Sequence, residues 1–267
     1  MARHKKFPEL VKRLDVSERI DRAKSVTKEL TFRIELPLAL HEAIMSIFFS
    51  EALSSLIPES YAVLAFCDFT TAMFRYELMQ LMSLWERPED SLDRTAYSIQ
   101  TVVGLINDPD VLQALKLEQY HYHASSRSLI SNFPDDAELR EAILASEKIS
   151  QEALGKEQAR LCEKDLNRSI RLAKLTCESD YFEGLKNFRD KVAHSLSETR
   201  LEHRKQSPIR VEYGFEKRLL RNTIKLIETF YSWINGVSFS IDTDRRDFAK
   251  MCAEELWLNC KFDLPEG

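Results

Sequence analysis

Very little in this sequence can interrupt a helix. The 267 residues include only six glycines and eight prolines, the residues that most often punctuate a chain. Between them, apolar residues recur every three or four positions over long stretches, which places them on one face of an α-helix. The expected fold class is therefore all-α, an antiparallel helical bundle with additional flanking helices. A charged fraction of 30% beside 44% apolar residues suits a globular helical chain and is high for a β-rich one.

The pattern divides the chain into three parts. Residues 1–35 read as a weakly patterned N-terminal arm, loosely attached, with short helices around Leu10 and Ile20 and caps at Asp15 or Ser17. Residues 36–237 read as the bundle, and residues 238–267 as a helical extension. Within the bundle, a helix is expected from Leu38 to Leu56. A long central one follows from Glu59 to Trp85, with Ala62, Ala65, Phe66, Phe69, Met73, Tyr76, Met79 and Met82 on its face. A third starts at Ser91 or Asp93 and ends at Ile106, and a short one spans Pro109–Leu117. Residues 118–134 read as a connection. Helical pattern resumes from Asp135 to Ser179, with a break or kink at Gly155, because an unbroken helix would reach about 66 Å. A basic loop over 197–210 leads into a helix at Val211–Val237, and a closing helix spans Arg245–Leu258, pinned by Trp257.

Composition also bears on function. The five cysteines (Cys67, Cys162, Cys177, Cys252 and Cys260) form no CxxC pair, which suits reduced, mostly buried thiols. His121 and His123 lack partners at ligand spacing, so no metal site and no cofactor are expected. The most apolar stretch, Leu36–Ile57, carries His41, Glu42 and Glu51. It is not a membrane span, and the expected location is the cytoplasm.

One segment speaks of chemistry. In residues 181–196, Phe182, Leu185, Phe188 and Val192 define an apolar helical face. Arg189 lies about 40° from the centre of that face. A half-buried arginine needs a partner or a task. Asp190 follows it, and His194 comes five residues later. The bland alternative is a solvated helix surface with a histidine near its last carbonyls.

Charge favours the functional reading. Residues 186–225 hold eleven Lys/Arg and five Asp/Glu, a balance of +6 in a chain whose net charge is -5. Such a zone suits a phosphate-bearing partner, with Lys191, Arg200, Arg204 and Lys205 as candidate residues to bind it. Lys217, Arg218 and Arg221 can equally be read as an outer, solvated face. Tyr120, His121, Tyr122 and His123 could stack on bases, although a loop of that composition is more often only a loop. Glu77 and Arg75 are candidates to support Arg189.

Arg189-Asp190-Lys191-Val192-Ala193-His194 resembles the Arg-x(4–6)-His motif of HEPN domains, in which a polar residue follows the arginine. The preceding Leu185-Lys186-Asn187-Phe188 fits as well. The segment Glu77–Asp90, with its long apolar helix ending in a charged turn, followed by Leu92–Leu115, resembles the AbiU-type branch, which is linked to abortive infection and toxin systems. The resemblance covers roughly residues 40–235. It implies a helical bundle, often dimeric, and in many members a metal-independent endoribonuclease that leaves cyclic-phosphate ends. Arg189 and His194 match the catalytic pair, and Asp190 the polar residue. A toxin or phage-defence effector of this kind also leaves room for an antitoxin or regulatory protein. Ser195 and Leu196 offer no tyrosine two residues after His194, so control by modification of such a tyrosine is not implied.

An imidazole can act as base or acid near neutral pH, while a guanidinium can clamp phosphate oxygens. On a regular helix, however, Arg189 and His194 lie about 140° apart. They converge on one phosphate only if the helix ends near Ala193 or if a homodimer brings two pairs together. The competing reading is a non-catalytic helical module binding RNA, a nucleotide or a protein partner, or a dimerisation scaffold, with Arg189 structural.

Overall fold

The computed structural model describes residues 6–48, 61–88, 96–125, 136–194, 214–241 and 243–259. These residues form helices and connections, with no strand among them. In chain order the helices are α1 (Lys6–Val11), α2 (Val16–Arg33), α3 (Glu35–Phe48), α4 (Tyr61–Ser83) and α5 (Ile99–Ile106). They continue with α6 (Pro109–Ala124), α7 (Ala137–Cys177), α8 (Asp180–His194), α9 (Phe215–Asn235) and α10 (Thr243–Leu258). The protein is an all-α bundle, as its periodicity requires.

The N-terminal segment is more deeply integrated than its sequence suggests. Asp15 begins α2 with a capping box: its carboxylate accepts from the Glu18 backbone N–H, and the Glu18 carboxylate accepts from that of Asp15. Ile20, Ala23, Val26 and Leu30 are buried, and α2 packs against α5, α6 and α9. The expectation of a loosely attached arm is therefore corrected. Only about one residue in four of α2 needs to be apolar to fill the seam it occupies, and charged residues on its other faces dilute the pattern. Arg19, itself buried, donates to the Leu105 carbonyl (2.9 Å) and to Asp108 (3.0 Å), tying α2 to the α5–α6 turn. The hydrogen bond from Arg19 holds the Asp108 carboxyl below its usual value.

Three further expectations are corrected between residues 96 and 177. The helix before Ile106 begins at Ile99, where the Ser98 hydroxyl accepts from the Thr101 N–H; the start expected at Ser91 or Asp93 lies outside the described residues. The helix begun at Pro109 continues to Ala124, so residues 118–124 are helical rather than a connection. Buried Val111, Leu115 and Gln119, spaced by four, hold that last turn down.

Gly155 does not break α7, which runs unbroken for 41 residues, about 62 Å. From Gly155 onward, Ala159, Cys162, Leu166, Ser169, Ala173 and Thr176 form a buried stripe at alternating steps of mostly three and four. Residues 137–154 extend beyond it largely exposed, with Leu139, Ile149 and Leu154 open to solvent. Gly155 serves as a contact point between α6 and α7. A Cβ there would sit 2.9 Å from the Tyr120 carbonyl oxygen and 3.1 Å from the Ala124 Cβ. Gly155→Ala would gain about 1 kcal/mol of helix propensity, but the clash is with backbone, and overpacking costs about 1–3 kcal/mol. Chemical denaturation is therefore expected to show a net loss of stability in this variant, although alanine is the better helix former.

The long central helix is also phased differently from its expected face. In α4, Phe69 and Tyr76 are exposed, whereas Thr70, Glu77, Leu78, Leu81 and Met82 are buried. A helix apolar on most sides has no distinct stripe from which to read a direction. By contrast, α9 buries Leu219, Leu220, Thr223, Leu226, Ile227, Phe230 and Ile234, close to expectation. Gly236, at φ +69, ends it in the left-handed conformation that glycine adopts without strain. α10 packs on α3, and Trp257 meets Phe66 edge-on at 5.8 Å and Phe69 at 5.9 Å. Among the described residues, no helix is long and apolar enough to cross a membrane.

Candidate active site

α8 is seated by aromatic packing. Tyr181, Phe182 and Leu185 are buried. Phe182 lies against Trp85 at 5.5 Å and Phe188 against Phe74 of α4 at 6.4 Å. The Ser179 hydroxyl accepts from the Phe182 N–H at the start of the helix, as expected for a cap. Asn222 of α9 donates to the Tyr181 hydroxyl (2.9 Å), which fixes that end in rotation.

With this face inward, Arg189 is half-buried, its side chain 21% exposed. Its Nε and Nη2 donate to Asp190 Oδ1 at 3.0 and 2.7 Å. The partner that the buried position demanded is thus the next residue along, Asp190. A guanidinium has five N–H donors, and Asp190 engages two of them, leaving the fork able to accept further acceptor atoms.

Arg189 opens into a cavity of about 310 Å³. Met82, Trp85 and Phe182 supply its apolar wall, while Arg87, Lys186 and Arg189 supply positive charge beside Glu86 and Glu183. Cys177 also lines it. Burial pushes that thiol up to about 11, despite the opposing charges of Arg87 and Lys186, so it remains a protonated thiol at neutral pH rather than a nucleophile.

α8 continues as helix through His194. Of the two alternatives, a helix ending near Ala193 is not what the structure has, and the helical positions of Arg189 and His194 remain about 140° apart. The side chains of Lys191 and His194 lie outside what is described, as do residues 195–213 with Arg200, Arg204 and Lys205. Glu77 does not support Arg189. It is fully buried and its Oε1 lies 2.9 Å from His41 Nδ1, while Arg75 is exposed. Tyr120, His121, Tyr122 and His123 stand on α6 rather than in a loop, and adjacent rings contact each other in pairs.

Sequence reading missed the His41–Glu77 pair. One signal was available: a histidine and a glutamate each placed within a strongly apolar helix. Among the described residues, no group of three or more His, Cys, Asp or Glu gathers as a metal site would require.

An all-α bundle whose helix α8 carries the Arg189-Asp190-x-x-x-His194 string has the build of a HEPN-type domain. Residues 20–252 match the family model HEPN_AbiU2, described as AbiU2, and the chain belongs to that family. The match extends beyond residues 40–235, taking in most of α2 and part of α10. No curated protein and no solved structure matches the chain.

Proposed function

We propose that this protein is a metal-independent endoribonuclease of the HEPN type, acting as a toxin or phage-defence effector. The observation that carries the reading is Arg189, held by Asp190 at the wall of an open, charged cavity on the motif helix of an AbiU2-family chain. In this reading the RNA 2′-hydroxyl attacks the adjacent phosphorus and loses its proton to a base. The 5′-oxygen leaves with a proton, and a cyclic phosphate remains. His194 handles a proton and Arg189 clamps the phosphate oxygens as negative charge develops. Lys191, Arg200, Arg204 and Lys205 hold the RNA backbone.

The unbroken helix through His194 favours the dimeric form of this mechanism. One protomer's Arg189 and its partner's histidine can then face one phosphate. An antitoxin or other regulatory protein would act by covering that cleft or separating the dimer.

Purified protein is expected to cleave RNA in EDTA, and His194→Ala to lower the rate by about 100-fold or more, the usual weight of acid–base catalysis. Arg189→Ala is expected to lose a comparable factor. Cleavage at the wild-type rate by His194→Ala would remove the catalytic assignment. The non-catalytic alternative predicts RNA binding without cleavage in the wild type.

A further inference from the structure

A second cavity, of about 360 Å³, lies between α3, the start of α9 and the segment leading into α10. It shares no lining residue with the cavity at Arg189. Its size falls in the range in which small ligands are held. Lys217, Arg218, Arg221 and Arg246 line it together with His41, and none of its lining residues is acidic.

The state of those groups points to an anion. Arg246 is already engaged, donating to buried Glu42. Arg218 lies over the Tyr181 ring at 4.8 Å, which orients it without neutralising it. Lys217, Arg218 and Arg221 make no ion pair among the described residues. Arg221 lies one helical turn from both Lys217 and Arg218, and like charges at that spacing repel, so a ligand that neutralises them gains what their proximity costs.

His41 adds an independent observation. It is 1% exposed, and its Nδ1 is held by Glu77. Its Nε2 is buried without a hydrogen-bond partner among the described residues, as is Glu77 Oε2. A buried polar atom left unpaired is costly. Burial raises the Glu77 pKa, opposed by His41. A Glu77 that keeps its proton donates it to Nδ1 of a neutral imidazole, whose own proton then sits on Nε2.

We infer that this cavity binds a terminal phosphate monoester, with Lys217, Arg218 and Arg221 around its mouth and His41 in its lining. A terminal phosphate carries more charge and one more free oxygen than a backbone diester, which suits three cations. Leu38, Ile224 and Ile241 provide apolar wall for whatever the phosphate is attached to. Two sources share this chemistry: a small free phosphate ester and the phosphorylated end of an RNA. The inference does not require the Arg189 site to be catalytic.

Calorimetric titration of the full chain tests it. The probes are phenyl phosphate against phenol, and a trinucleotide carrying a terminal phosphate against the same trinucleotide with a hydroxyl end. The phosphate is expected to improve binding by about tenfold or more in at least one of the two pairs. A gain with phenyl phosphate alone assigns a free ester, and a gain with the trinucleotide alone assigns an RNA end. Arg221→Glu and Lys217→Glu alter exposed residues whose loss leaves the core intact; each is expected to abolish the gain, and Arg189→Ala to retain it. Equal affinity within both pairs would overturn the inference. So would a gain that survives both glutamate substitutions or that disappears in Arg189→Ala.

Discussion

Glu77→Leu is expected to destabilise the protein by about 3–5 kcal/mol, because it removes one member of a buried ionisable pair and leaves the other without compensation. Glu77 is fully buried, and His41, on α3, is 1% exposed, so neither reaches water as a substitute partner. Urea denaturation followed by circular dichroism measures the loss. The double variant His41→Leu/Glu77→Leu is expected to recover most of it, since replacing both partners with apolar groups is often close to neutral. If the double variant were as unstable as the single one, the cost would lie in packing between α3 and α4 rather than in the stranded polar group.

The same pair predicts a pH dependence. The Glu77 pKa is raised from its usual 4.5, by burial first, with Glu216 and Glu42 adding to it and His41 opposing it. A raised pKa means that the folded state binds the proton more tightly than the unfolded state. The resulting stability is fully present below pH 4.5 and is lost as pH rises from there through the folded value. Glu77→Gln cannot ionise. Its stability relative to wild type should therefore be least favourable at the acid end of that window and improve as pH rises. A difference between the two proteins that stays constant across the window would contradict the assignment.

Trp85→Ala is expected to cost about 3–5 kcal/mol, the usual range for removing a large aromatic side chain from a core. Trp85 is 2% exposed and among the largest fully buried side chains. Its Nε1 donates to Thr223 Oγ1 of α9 at 2.8 Å, its ring packs on Phe182 of α8, and its carbonyl accepts from Gln100 of α5. Its side chain thus joins α8 to α9, and its backbone ties in α5. Because Trp85 also lines the Arg189 cavity, the variant is expected to weaken the proposed RNA cleavage even where it remains folded. Trp85→Phe keeps the ring packing and loses the Nε1 donor, leaving Thr223 with the Leu219 carbonyl as an acceptor. Its cost should fall to about 1–2 kcal/mol. Denaturation curves for the two variants separate packing from hydrogen bonding.

How much could be read from the sequence depended on how sharply each helix is patterned. α9 has one apolar side and one charged side, and its buried residues were readable nearly one by one. α8 was similar: the half-buried arginine and its apolar face follow from spacing. In α4 the apolar residues surround the helix, so the side that meets the core is set by its neighbours, and Tyr76 and Phe69 fall outward. Gly155 shows the opposite difficulty. Its low propensity suggested a break, but the close approach of the Tyr120 carbonyl gives it a packing reason, and propensity is worth too little to interrupt a helix held by a buried stripe from Gly155 onward.

The candidate sites divide in the same way. The sequence alone determined the all-α class, most of the helices, the placement of Arg189 on a packed face and the resemblance of Arg189-Asp190-x-x-x-His194 to HEPN domains. These depend on local spacing, and helical spacing is a property of neighbouring residues. Tertiary structure decided which half-buried groups meet. It joined His41 to Glu77 across 36 positions, gave Arg189 its cavity and brought Lys217, Arg218 and Arg221 to the mouth of another. Those meetings depend on the rotation and crossing of helices distant in sequence, which are fixed by the summed packing of the core rather than by any one segment.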